Sequence, residues 1–471
     1  MSNYITQTEL DKVLHQDAYT SKNTKNKKYN QIDEKLDSEI IFEFGGPWGV
    51  TAMMLGFPTL MYYMWGCLYF NRGQLVSPFN LEFWQLVAEG ASPTWYSTKI
   101  YVVFCLFELF LAFYMPGPIV KGAPVARLKG QKLDYICNGV TSWYATLITS
   151  YIVHHFGWFR LTDLIDQFGH IMSVAIISGF IITIVVYTNA ILQGNQYRMS
   201  GNFFYDIFMG AVLNPRIGKV DMKMFAEIRI PWVILFYISV SAAIKEYELF
   251  GYLSPSMGFM VLAHFLYVNA CMKGEECIPT TWDVTYEKFG FMLIFWNYAG
   301  VPFTYCYSTL YLHITSIDND APLQHSLPWT IFCYSLLLAG YYIWDTANSQ
   351  KNKFRMLVNG SYIPRHTFPQ LPWGILKNPT YIRTKHGNLL LTSGWWGIAR
   401  KIHYTADLMM AFAWGFITGF ETLIPYFYPL FFVAVLTHRV SRDIERCSKK
   451  YGKDWEEYCR KVPYIFIPGL I

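Results

Sequence analysis

Long stretches with few or no charged side chains recur along this chain, and they set its architecture before any other feature is weighed. They predict spans near 47–70, 100–120, 135–157, 170–193, 231–249, 252–272, 289–314 and 328–345. A last apolar stretch, 408–437, is interrupted by Glu421 and Pro425 and predicts a tight hairpin of two short spans. Each full span approaches the roughly 20 apolar residues that a helix needs to cross about 30 Å of hydrocarbon. The prediction is an all-α, polytopic membrane protein with about ten transmembrane helices.

The polar segments between the spans give the orientation. Counting Lys and Arg near 121–132, 198–229, 273–288 and 346–406 gives 4, 5, 2 and 9, whereas 71–98, 158–169, 245–250 and 316–327 give 1, 1, 1 and 0. Positive residues concentrate on the cytosolic side of a membrane protein, so both termini are expected in the cytosol. Residues 1–39 hold six Lys and seven acidic residues with no apolar signal core, and they read as a flexible cytosolic tail. Three regions follow: 1–39, the span-rich body 40–345, and 346–471, which joins a basic loop, the hairpin and a C-terminal tail.

Composition narrows the function classes. The chain has 471 residues, 53% hydrophobic and 15% charged, against about 25% charged in a soluble domain. This excludes a disordered chain, a coiled coil and a disulfide scaffold, and it argues against a soluble Rossmann enzyme. Nine cysteines occur without a CxxC or a zinc-like Cys/His spacing, and they read as reduced thiols. The net charge of +5 is uneven: residues 346–471 carry 17 Lys/Arg against 7 Asp/Glu. Within them, 346–406 has nine cations and no acid, together with Pro364, Pro369, Pro372, Pro379, Gly360, Gly374, Gly387 and Gly394. That composition describes a structured loop facing an anionic ligand, a membrane surface, or both.

GxGxxG, Walker A, HExxH and GxSxG motifs are all missing, so a nucleotide's phosphates would have to be held by side chains. Lys351 and Arg355, four apart, share a helix face and can grip a pyrophosphate or a 2′-phosphate; a plain positive-inside anchor fits equally well. Trp395, Trp396, His403 and Tyr404 lie among Arg400 and Lys401, where rings can stack on adenine or nicotinamide or form an interfacial belt. Arg439, Asp443, Cys447 and Tyr451 fall at four-residue steps, so one helix face carries all four. On it Arg439 and Asp443 can pair, or Asp443 can accept from a ribose or carboxamide. Glu108 lies inside the second span, where a carboxylate has either a functional role or a buried hydrogen bond. Tyr267 and Glu276, at the end of the sixth span, are candidate proton donors, while Glu275 and Glu287 read as ordinary loop charges.

Two longer motifs then carry a resemblance. The stretch from Gly201 through Tyr205, Asp206, Gly210, Leu213, Asn214 and Pro215 to Arg216 resembles the first signature of the membrane sterol reductases. His438, Arg439, Arg442, Asp443, Cys447, Lys450, Tyr451 and Gly452 resemble the second. Thr437 stands where the family usually has an aliphatic residue. The similarity runs from about residue 40 to the end. Glu43 to Gly46, Phe289 to Asn297, Lys401 to Asp407 and Lys450 to Trp455 are similar to the fungal C-24(28) branch. The C-14 branch typically reads His-Pro-Asn-Tyr-Leu-Gly-Asp where this chain has Lys401 to Asp407.

The resemblance implies NADPH-dependent reduction of the 24(28) double bond of a sterol side chain, the last step of ergosterol synthesis, in the endoplasmic reticulum membrane. It implies an NADPH pocket in the C-terminal half, contacted by Lys351, Arg355, Trp396, His403, Tyr404, Arg439, Asp443, Cys447 and Tyr451, and a sterol-side pocket in the body. Tyr267 and Glu276 are the catalytic candidates. The partners implied are the sterol in the bilayer, membrane lipids and other sterol-biosynthesis enzymes; nucleic acid is not expected. Alternatives are reduction of a C-14 or C-7 ring double bond, and a sterol-binding or transport protein whose basic face only anchors it.

Overall fold

The computed structural model describes residues 40–470 apart from 126–127, 129–130, 359, 361 and 363–368. The tail expected at 1–39 and part of the basic loop, with Pro364, lie outside the described residues. The chain is mostly helical, with a few two-stranded hairpins. It divides into two compact units, one formed by Ile40–Tyr334 with Phe412–Tyr428, the other including Ser335–Ala411 with Pro429–Ile471.

The larger unit contains α1 (Gly46–Asn71), α2 (Trp95–Tyr114), α3 (Gly139–His155), α4 (Phe168–Leu192), α5 (Pro231–Phe250), α6 (Pro255–Lys273) and α7 (Tyr307–Asp318). The helix α8 (Leu327–Val358) runs out of it, followed by α9 (Ile402–Phe416) and α10 (Phe427–Tyr451). Among the described residues, five stretches are long and apolar enough to cross a membrane: Trp95–Tyr114, Phe168–Leu192, Met222–Phe250, Pro255–Lys273 and Leu327–Val358. Tyr, Trp, Gly and Pro hold α1 below that apolarity although it has no charge, and α3 is short. The lipid-type surface is plain on α4, where Ile177, Ile181, Ile184 and Val185 are exposed at helical spacing.

Several predicted boundaries move. The span expected at 100–120 ends at Tyr114, because the chain turns through Pro116 and Pro118 into β1 (Ile119–Val125), which pairs antiparallel with β2 (Gln131–Ile136). The span expected at 289–314 is not one helix. Phe291–Phe295 passes into a π-helical turn at Trp296–Gly300, then into short Val301–Thr304 and finally α7. The hairpin at 408–437 is longer than expected, since α9 begins at Ile402 and α10 continues to Tyr451. Glu421, at its turn, accepts a hydrogen bond from Tyr311 at 2.9 Å.

Buried polar contacts fix the larger unit. Arg229 and Glu275 are 2% and 1% exposed and meet at 2.8 Å. Arg229 Nη2 also donates to Asn138 Oδ1 at 2.6 Å, and the Gly139 N–H donates to Glu275 Oε2 at 2.7 Å. Asn138 Nδ2 donates to the carbonyls of Ala112 and Met115 at the end of α2. This joins the ends of α2, α3 and α6 to the helix Met222–Arg229. Glu287 is buried too and accepts from Trp282 Nε1 at 2.5 Å. The reading of Glu275 and Glu287 as ordinary loop charges is therefore corrected: neighbouring helix ends cover both and supply their donors. Glu108 accepts from Thr146 Oγ1 at 2.6 Å, a hydrogen bond between α2 and α3.

The first signature also proves to be a joint. Asp206 accepts the N–H groups of Ser200 and Gly201 at 2.8 and 3.0 Å, and Asn202 caps the short helix Phe203–Met209 through the Tyr205 N–H. Gly210 has φ +93°, and a Cβ there would lie 2.5 Å from the Gly290 nitrogen. Two backbones touch at this point, and neither glycine has room for a side chain.

Two stability predictions result. Gly210→Ala, forced into a positive φ against a backbone, should destabilise by at least about 2 kcal/mol, seen as a lower thermal midpoint in detergent. Arg229→Met should cost about 3–5 kcal/mol because it leaves Glu275 buried without its counter-charge, whereas Lys121→Met, which breaks an exposed pair, should change the midpoint little.

Candidate active site

In the smaller unit, α8 and α10 carry the sequence-predicted residues on continuous helices, so their four-residue spacings are real faces. Lys351 Nζ stands 3.8 Å from the centroid of the Trp396 ring. Trp396 is 2% exposed and anchored by its Nε1 donating to the Ala347 carbonyl at 2.8 Å. Its neighbour Trp395 is held twice, by its N–H to Gln350 Oε1 at 3.0 Å and by Nε1 to Thr346 Oγ1 at 2.8 Å. These bonds hold the short helix Trp395–Ile398 against α8.

His403 follows in the same layer, with ring centroids 4.9 Å from Trp396 and 4.1 Å from Tyr404. Its Nδ1 is buried and accepts or donates no hydrogen bond. Burial, then the charges of Lys351, Lys401, Arg439 and Arg355, hold its pKa well below the usual imidazole value, so the ring is neutral at pH 7. Four cations thus converge on a small aromatic layer, and Arg355 is exposed at its edge.

The acid of this group is Asp443, and Lys401 Nζ pairs with its Oδ2 at 2.6 Å. Burial raises the Asp443 pKa, but Lys401, Lys351 and Arg439 outweigh it, so the carboxyl lies below its ordinary value. Along α10, Cys447 and Tyr451 pack with Ile382 of β3 (Tyr381–Arg383) and with Trp455 and Tyr458 of the helix Lys453–Lys461. Burial pushes the Cys447 thiol up to about 11, so it stays neutral. Asn388, in the turn before β4 (Leu389–Leu391), donates to Tyr451 Oη at 2.9 Å. The donor set fits a dinucleotide phosphate: several cations, an ionised acceptor, packed aromatic rings and a buried ring nitrogen left to bind a ligand atom.

In the larger unit, Tyr267 is 7% exposed on α6, and its ring lies 4.5 Å from Trp232 and 5.8 Å from Trp414. Tyr428 extends the layer, 4.9 Å from Trp414 and 4.0 Å from Tyr305. One turn before Tyr267, His264 is fully buried; its Nδ1 shares a hydrogen with Ser239 Oγ at 2.6 Å, and Ser239 continues to Thr309 at 2.8 Å. Glu276 is half-buried in the 3₁₀ turn Glu275–Thr280. The sequence argument did not identify Trp232, Trp414 or His264, nor the Lys401–Asp443 pair. Only the spacing of His264 and Tyr267, three apart on one helix, hinted at the first group.

Comparison with known proteins agrees with both signatures. The description "Ergosterol biosynthesis ERG4/ERG24 family" matches residues 38–471. A Delta(24(24(1)))-sterol reductase of Aspergillus fumigatus is 48% identical over 442 residues, 92% of this chain and 93% of its own length. One of Gibberella zeae is 46% identical, covering 93% of this chain and 74% of its own. A Delta(14)-sterol reductase of Dictyostelium discoideum is 39% identical over 91% of this chain and 92% of its own. The match spans both units and nearly every described residue, and the chain belongs to the ergosterol biosynthesis ERG4/ERG24 family.

Proposed function

We propose that this protein reduces the 24(28) double bond of a sterol side chain with NADPH. The observation that carries the cofactor is the convergence of Lys351, Arg355, Lys401 and Arg439 on the Trp396–His403 layer, with Asp443 as its acceptor. The position of the alkene rests on the two relatives of highest identity above, both named for C-24 chemistry. The protein is multi-pass; from its apolar runs and the distribution of its cations we read about ten spans with both termini cytosolic, and from its family we place it in the endoplasmic reticulum membrane.

The reaction adds one proton and one hydride across the alkene, and the reduced nicotinamide supplies the hydride. Protonation of the exocyclic methylene carbon leaves a tertiary cation at C-24, which the hydride quenches. Tyr267 is the preferred proton donor: its ring is enclosed by Trp232 and Trp414, whose faces also stabilise a nearby cation. Glu276, half-buried in the 3₁₀ turn after α6, is the second candidate. Lys351 and Arg355 would hold the phosphates, and Asp443 would accept from the ribose or carboxamide.

Deleting the gene in its host should cause a sterol that keeps its 24(28)-alkene to accumulate. The Delta(14)-sterol reductases at 38–39% identity supply the rival outcome, accumulation of a 14-ene, which would move the chemistry into the ring. An unchanged profile with no second copy would end the reductase reading and favour sterol binding or transport. With purified protein, Arg355→Ala should raise the KM for NADPH about 10- to 100-fold with a smaller effect on kcat, as loss of a charge-assisted contact does. Tyr267→Phe should lower kcat by about 100-fold or more with nucleotide binding intact, while Glu276→Gln lowers it far less. The reverse ranking would transfer the proton to Glu276.

A further inference from the structure

Lys401 belongs to none of the contacts carried over from the family pattern, yet its ammonium makes a short ion pair, 2.6 Å to Asp443 Oδ2. Its side chain is 13% exposed and that of Asp443 35%, so the pair is shielded from solvent more than an ordinary surface pair. Its backbone is fixed as well. The Lys401 N–H donates to the Ile465 carbonyl at 2.8 Å, the Arg400 N–H to Tyr464 at 2.9 Å, and Thr405 Oγ1 to Phe466 at 2.8 Å. The C-terminal segment thus clamps the turn that opens α9, and the lysine reaches from this fixed point to α10.

We propose that Lys401 is a positioning residue, whose ammonium holds the Asp443 carboxylate as a fixed hydrogen-bond acceptor for a polar group of the reduced dinucleotide. The inference rests on the cofactor reading above and adds to it the group that makes Asp443 serviceable. The charged and titratable groups facing Asp443 are Lys401 from the turn before α9, Lys351 from α8, Arg439 and Cys447 on its own helix, and Tyr458 from the C-terminal helix. Burial alone favours the protonated acid, and Lys401 is first among the neighbours that reverse it.

The sign of the pH effect follows. A carboxyl held below its ordinary value is ionised throughout pH 5–8, so dinucleotide binding by the unmutated protein should not weaken through Asp443 as pH falls over that window. Without Lys401 the burial contribution remains and the opposing one shrinks. The carboxyl then moves upward and begins to protonate at a higher pH than in the unmutated protein.

The test is NADPH binding, followed by nucleotide fluorescence, to the purified full-length protein in detergent at pH 7.5 and 5.5. Lys401→Met should weaken binding about tenfold at pH 7.5 and further at pH 5.5, and Lys401→Arg should restore most of it. Asp443→Asn supplies the decisive comparison: in that background, Lys401→Met should cost less than about twofold, because the group it positions is gone. An additive loss in the double variant, or the same pH dependence in Lys401→Met as in the unmutated protein, would overturn the proposal and make Lys401 a direct phosphate ligand. Failure of the unmutated protein to bind NADPH is a separate result, which removes the cofactor reading and this inference with it. Thermal midpoints of each variant separate loss of binding from loss of fold.

Discussion

An arginine and a glutamate that leave water together set the frame of the larger unit. Arg229 and Glu275 are both covered by helix ends, and a charge in such a place is tolerated only with its counter-charge and its remaining hydrogen bonds satisfied. Asn138 and the Gly139 N–H complete that set, and Asn138 in turn caps carbonyls of α2. Three helix ends are therefore tied at one point whose geometry cannot relax without exposing an ion to a medium that solvates it poorly. The contact of Gly210 with Gly290 adds a second fixed point, made by backbone proximity rather than charge.

Between these joints, packing is aromatic and apolar. Trp143 on α3 touches Phe236 and Tyr237 on α5 and Phe265 on α6. The layer of Trp232, Tyr267, Trp414, Tyr428 and Tyr305 is of the same kind, and large rings offer both area and an electron-rich face. Three of these rings, Tyr267, Tyr428 and Tyr305, are phenols, so the layer combines apolar area with hydroxyl groups.

The smaller unit works by a different balance. Its cations exceed its acids, and like charges brought together raise the energy of the empty site. The packed rings of Trp396, His403 and Tyr404 and the pair of Lys401 with Asp443 hold the arrangement. A phosphate-bearing ligand bound there would relieve that repulsion. His403 stays neutral because burial disfavours its charged form and a further positive charge would have four cations against it.

The sequence by itself determined the membrane-spanning class, the basic C-terminal region and the helical faces. Each depends on properties that are local along the chain: hydropathy over twenty residues, charge over sixty, and spacing of four. Lys351 with Arg355, and Arg439 with Asp443, Cys447 and Tyr451, were legible because a helix makes neighbours of residues four apart. The tertiary structure alone decided what pairs across distance. Glu275 read as a loop charge because Arg229, which pairs with it, lies 46 positions away and meets it only after folding; Glu287 is covered by Trp282 only five positions away, through a turn that no helical spacing reveals. The break at Trp296–Gly300 is likewise invisible in an apolar run, since hydropathy is indifferent to helical pitch. Lys401 finds Asp443 forty-two positions away through a turn clamped by the C-terminal segment, and no periodicity encodes such a contact.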